Sequence, residues 1–125
     1  MFNIATYEKF SNGEAIFKEG SFGDWMYFIE KGAVEIFRTV EGKKLVITNL
    51  KEGEVFGEVA YITKAARSAT AAAIGNTTVG IIDRKSFDQE FNALSSDFQM
   101  ILKVMATRLK VTTDVLIDLE NKYIK

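Results

Sequence analysis

The stretch Phe56-Gly57-Glu58-Val59-Ala60-Tyr61-Ile62, followed after Thr63 to Ala66 by Arg67-Ser68-Ala69-Thr70, puts a glycine, a carboxylate and an arginine into one short excursion. A turn of helix beginning at Gly57 directs backbone N–H groups outward, and a residue without a Cβ lets a ligand come close to the chain. Arg67, nine residues after Glu58, brings a planar guanidinium that matches phosphate oxygens, while Glu58 offers an acceptor for a hydroxyl. Such a set suits a sugar phosphate. The same two residues also read as an ion pair that closes a loop, and their spacing alone leaves both readings open.

Composition removes several other chemistries. The chain has no Cys and no His, so zinc and non-haem iron sites lack their usual ligands, and Ser-His or Cys-His nucleophile pairs are unavailable. No metal, cofactor or catalytic residue is therefore expected. A small enzyme using Glu58 or Asp24 as acid or base is the remaining catalytic reading, but no second carboxylate has the spacing of a paired acid and base. Sixteen basic residues against seventeen acidic ones make no field that would hold nucleic acid. Residues 1–13 lack the apolar run of a signal peptide or membrane span, so a cytoplasmic protein is expected.

The elements that must position this excursion follow from the apolar pattern. At 125 residues and 47% hydrophobic content, with ten Phe and four Tyr, the chain suits one domain with one core. Short apolar runs at Ala15 to Phe17, Met26 to Ile29, Val34 to Phe37, Leu45 to Leu50, Ala69 to Ile74 and Val79 to Ile82 predict short strands in a barrel or sandwich, and a β-roll or jelly-roll-like barrel is expected over residues 14–83. Glu41-Gly42-Lys43 reads as a hairpin turn. Beyond Asp83 the spacing becomes helical through 85–123, with Phe87, Phe91 and Leu94 on one face and Ser95 or Ser96 capping a second, long helix. In that helix Leu102, Leu109, Leu116 and Tyr123 recur at seven, interleaved by Met105, Thr112 and Leu119. The seam fits either packing on the barrel or a parallel homodimer.

With the elements in place, residues 56–70 resemble the phosphate-binding cassette of the cyclic nucleotide-binding family. Upstream, Phe17-Lys18-Glu19-Gly20, Gly23-Asp24, Tyr27, Ile29, Gly32, Val34 and Ile36 match that family's strand and corner pattern in order. The resemblance spans essentially the whole chain and implies a regulatory sensor domain. By it, Glu58 would bind the ribose 2′-hydroxyl and Arg67 the cyclic phosphate, with Gly57, Val59, Ala60, Ser68 and Ala69 completing the ligand contacts.

A narrower likeness joins Arg108-Leu109-Lys110-Val111-Thr112-Thr113 to the long helix of bacterial catabolite activator proteins. It implies that Thr112 reaches the purine in its own subunit and Thr113 the purine across a dimer, which favours cAMP over cGMP. Ser68 occurs in domains that prefer either ligand and does not decide. Two departures stand out. Ala66 occupies a position where many members have Pro, which leaves the free loop more mobile by about 0.4–1 kcal/mol. The activators also continue into a helix-turn-helix DNA reader for which these residues show no counterpart, and no effector is identified. A member that has lost its ligand and serves only in dimerisation or docking is the alternative.

Overall fold

A computed structural model of the protein describes residues 2–23 and 25–123; Asp24, one of the carboxylates considered as an acid, lies outside them. Six strands form one antiparallel sheet: β1 (Ile4–Phe10), β2 (Ala15–Phe17), β3 (Tyr27–Val40), β4 (Lys43–Lys51), β5 (Val55–Phe56) and β6 (Thr70–Ile82). Helix α1 (Glu58–Thr63) interrupts the path from β5 to β6, and α2 (Arg84–Ala93) and α3 (Ser96–Tyr123) follow the sheet. The strands run in the order β1-β6-β3-β4, with β2 on β6 and β5 on β3. The path has two ends, so the structure is an open β-roll and not the closed barrel that strand spacing alone allows.

Four of the expected short strands are halves of two long ones. All but the first residue of the run at 26–29, and the run at 34–37, belong to β3; all but the first residue of 69–74, and the run at 79–82, belong to β6. The chain bends at these places without breaking, because register slips between Ile29 and Ala33 absorb the turn. Gly32 sits there at φ 95°, and a Cβ on it would stand 2.6 Å from Thr77 Oγ1 and 2.7 Å from Asn76 O. The absent side chain lets β3 press onto the bend in β6, where the buried Thr77 hydroxyl donates to Ala33 O at 3.0 Å.

Strand β1, ahead of the expected start at residue 14, pairs antiparallel with β6 from Ile4 opposite Ile82 to Phe10 opposite Thr77. Its five central residues are all exposed, so no apolar alternation announces it. The hairpin between β3 and β4 is a two-residue turn with Glu41 at φ 50° and Gly42 at φ 77°, the left-handed pair that matches strand twist.

The core has two parts. Ile29, Val34, Phe56, Ala71 and Val79 fill the roll. Met26, Tyr61 and Ile82 form a second cluster against Phe87 and Phe91 of α2. The Tyr61 ring meets Phe87 edge-on at 5.2 Å and its hydroxyl donates to Asp88, which fastens α1 to α2. Leu94, expected on the same face, falls at the helix end and is partly exposed. Ser95 caps α3, its hydroxyl oxygen accepting from the Phe98 N–H at 3.2 Å. Helix α3 rests on α1 and buries Ala106 and Ile117, with Leu102 half-buried, while Met105, Leu109, Leu116, Leu119 and Tyr123 stay exposed.

Two glycines separate backbone strain from steric fit. Gly53 has φ 90° with open space around it, whereas Gly32 has φ 95° and backbone within 3 Å. Gly53→Ala should cost about 1–2 kcal/mol from its φ alone, and Gly32→Ala clearly more, about 3 kcal/mol or above. Denaturant melts of the two variants check this, and equal losses would contradict the close packing of β3 on β6.

Candidate functional site

Gly57 precedes α1 as its N-cap at φ 85°. A Cβ there would lie 2.9 Å from Arg67 Nη1 and 2.9 Å from Trp25 O. Backbone angle and lack of room both require glycine at this position.

The close neighbour is Arg67, whose residue is only 4% exposed. Its main chain is gripped by the corner after β2: its N–H donates to Ser21 O at 2.9 Å, and its carbonyl accepts from Gly20 N–H at 2.8 Å. Its guanidinium donates through Nη1 to Gly57 O at 3.0 Å and through Nη2 to Trp25 O at 2.7 Å. It also stands 4.2 Å from the centre of the Phe17 ring, a cation–π contact that takes the place of lost water. Tyr27 lies behind Phe17, and burial raises its hydroxyl above the ordinary value of 10.0, with Arg67 pulling it down and Glu8 pushing it up.

Glu58 opens α1. Among the described residues it does not close a loop by pairing with Arg67: its Oε2 is buried and has no hydrogen-bond partner there. An orphaned buried carboxylate oxygen is costly unless something is meant to meet it.

Both residues border a cavity of about 270 Å³. Gly57, Val59, Ala60, Ser68 and Ala69 line it too, so the structure gathers all of the expected cassette positions around one space. Helix α3 contributes Leu109, Lys110 and Thr113. The two threonines differ from the expectation: Thr113 borders the cavity of its own chain, and Thr112 is exposed and outside the lining. Helical geometry separates adjacent residues by about 100°, so only one of the pair can face the roll. The Thr113 hydroxyl donates to Leu109 O at 2.9 Å.

Sequence reasoning missed the apolar walls of this cavity. Ile36, Leu50 and Val55 supply them, as do Ile47 and its neighbour Thr48. Two consecutive strand residues normally point to opposite faces. Here the register slips from Ile36 opposite Thr48 to Phe37 opposite Val46, leaving Ile47 as an extra residue that swings into the same space. The alternation in β3 could have pointed to Ile36, but nothing local announces the bulge. Among the described residues, no cluster of three or more His, Cys, Asp or Glu could hold a metal ion. No helix among them is long and apolar enough to cross a membrane.

Comparison with known proteins agrees with this geometry. The model of the cyclic nucleotide-binding domain matches residues 7–93. The cAMP-dependent protein kinase type II regulatory subunit of Drosophila melanogaster is 35% identical over 83 residues, covering 66% of this chain and 22% of that protein. The cyclic AMP receptor protein of Thermus thermophilus is 29% identical over 102 residues, covering 81% of this chain and 47% of the receptor. Among solved structures, the cAMP-bound form of the EAL enzyme Bd1971 superposes with a TM-score of 0.79 at 32% identity, over 95% of this chain and 32% of that one. The same enzyme has a cGMP-bound form at TM-score 0.78. The chain thus spans less than half the length of each of these proteins.

The orphaned oxygen leads to a test without any ligand. Glu58→Gln removes the negative charge from a half-buried side chain whose Oε2 lacks a partner among the described residues, a lack worth about 1–3 kcal/mol, and gives up about 0.3–1 kcal/mol of helix-dipole interaction. Thermal unfolding of the ligand-free variant should therefore show a higher midpoint than the parent. A clear drop would mean that Glu58 serves the fold itself.

Proposed function

Because the chain belongs to the cyclic nucleotide-binding domain family, we propose that it is a regulatory sensor that binds a cyclic nucleoside monophosphate, cAMP in preference to cGMP, and performs no catalysis of its own. The observation that carries this reading is a single cavity bordered by both a buried guanidinium and a buried, unpartnered carboxylate oxygen. The first, held between carbonyls, presents a positive charge that suits an anion, and the second suits a hydroxyl. A cyclic phosphate fused to a ribose holds both at fixed separation, so little ligand entropy is lost on binding.

In this reading Arg67 and Ser68 hold the phosphate oxygens, and Gly57 allows the ring to lie against the start of α1. Glu58 accepts from the 2′-hydroxyl, a charge-assisted bond that ends the isolation of Oε2. The purine lies among Ile36, Leu50, Val55 and Leu109. The solved forms of Bd1971 with cAMP and with cGMP support a fold of this kind accepting either base.

Preference for adenine rests on Thr113. Its hydroxyl proton is already given to Leu109 O, so the oxygen faces a ligand with lone pairs. The 6-amino group of adenine donates to such an oxygen, whereas the 6-carbonyl of guanine repels it unless the hydroxyl rotates and abandons the helix bond. The difference amounts to about 1–2 kcal/mol, or roughly tenfold in affinity. Thr112, on the exposed side, belongs with the seam of Met105, Leu109, Leu116 and Leu119. We place a second copy of the chain against that seam as a parallel dimer, with Thr112 near its axis. Leu109 serves both cavity and seam, so a nucleotide that draws α3 inward also shifts the dimer surface.

Calorimetry should find cAMP bound roughly tenfold more tightly than cGMP by the parent chain. Thr113→Val should narrow the gap mainly by weakening cAMP. A parent that prefers cGMP would overturn the role of Thr113, and one that binds neither nucleotide would favour a docking module without a ligand.

The dimer has its own test. Leu116→Asp with Leu119→Asp places two charges in the seam, clear of the cavity, and should yield monomers by sedimentation because neither charge would find a partner there. The idea fails if the parent itself sediments as a monomer at high concentration.

A further inference from the structure

Arg38 lies on β3 with its side chain 14% exposed, and the ligand contacts proposed above do not use it. Its Nε donates to Ser68 O at 2.7 Å. One terminal nitrogen forms an ion pair and hydrogen bond with Asp114. Ser68 directly follows the cassette arginine, and Asp114 directly follows Thr113. Ser68 and Thr113 both border the cavity. One guanidinium therefore ties two walls of the cavity, the segment that follows Arg67 and helix α3.

We propose that Arg38 is a positioning residue that couples the phosphate-binding segment to α3, so that occupancy beside Ser68 is felt by the helix that carries Thr113 and the dimer seam. A guanidinium can do this because its donors point in fixed, divergent directions within one plane, whereas an ammonium would serve one acceptor at the expense of the other. The pair is stronger than an ordinary surface pair on the Arg38 side, although Asp114 at 44% exposure remains open to solvent screening. Coupling requires an element with two arrangements that the ligand tells apart. Here they are α3 tied to Ser68 through Arg38, and α3 released. A ligand that touches both Ser68 and Thr113 binds the tied arrangement better. By reciprocity, cutting the tie weakens the ligand by the factor with which the ligand strengthens the tie.

The ligand side of this inference rests on the cyclic nucleotide reading, and the tie itself does not. The test uses Arg38→Met, which keeps the apolar stem, together with Asp114→Asn, the double variant and Arg38→Lys. Hydrogen exchange in the absence of nucleotide should speed up over residues 106–117 in each single variant. Calorimetry with cAMP should show each losing about 5–20-fold in affinity. The double variant should lose no more than the weaker-binding single, and Arg38→Lys should fail to rescue. A merely structural role would instead give additive losses, or faster exchange spread over β3 and β4 with cAMP affinity unchanged; either result overturns the proposal. If the parent binds no cyclic nucleotide, the functional reading falls, and unchanged exchange over 106–117 in the variants would then dispose of the tie as well.

Discussion

Burial of the Arg67 guanidinium is the constraint on which the rest of the site depends. Withdrawing a fixed cation from water costs several kcal/mol unless the protein surrounds it with acceptors and polarisable surface. The chain meets that demand with pieces from distant segments: the carbonyls of Gly57 and Trp25, the face of Phe17, and main-chain clamps from Gly20 and Ser21. Each piece constrains another. Gly57 must lack a side chain because Arg67 and Trp25 already fill the room. The corner after β2 must return to residue 67, and α1 must begin where Gly57 leaves it. Arg67 is thereby a keystone of the fold.

Glu58 is the opposite case. It stands in the first turn of α1 with a carboxylate oxygen that the protein leaves without a partner. Where Arg67 is over-provided, Glu58 is under-provided: the cavity is bordered by a guanidinium held between carbonyls and by a carboxylate oxygen without a partner among the described residues. A guanidinium held rigid before the ligand arrives needs no rearrangement on binding, and a buried carboxylate gains most from a donor that water cannot replace. Both effects raise affinity for a small, rigid ligand that carries the two complementary groups.

Helix α3 connects this site to the outside. One face buries Ala106 and Ile117, another borders the cavity at Lys110 and Thr113, and a third exposes Met105, Leu116 and Leu119. Leu109 belongs to both the cavity and the exposed seam. Arg38 joins the same helix to the backbone beside Arg67. Two guanidiniums on adjoining segments thus read main-chain carbonyls on either side of the cassette, Arg67 inward and Arg38 toward the helix, a task for which a planar fork of donors is better suited than lysine.

Residue types and spacing pointed to the class of fold, and they placed Gly57, Glu58, Arg67 and Ser68 in one short excursion that the structure gathers around one cavity; spacing left open whether Glu58 pairs with Arg67, and the ligand roles came from the resemblance. The helical seam and the capping of α3 at Ser95 were legible because they depend on residues close together in the chain, as was the hairpin at Glu41-Gly42. Tertiary structure decided what depends on segments meeting from afar. Strand β1 exists because β6 offers it hydrogen bonds, which no exposure pattern in residues 5–9 records. Four short strands became two long ones because Gly32 can lie against Thr77. Ile47 and Thr48 share the cavity through a slip in pairing with β3. Thr113, and not Thr112, borders the cavity because the rotation of α3 is set by what Ala106 and Ile117 bury. Periodicity says which residues share a face of a helix, but only packing against the rest of the molecule says where that face points.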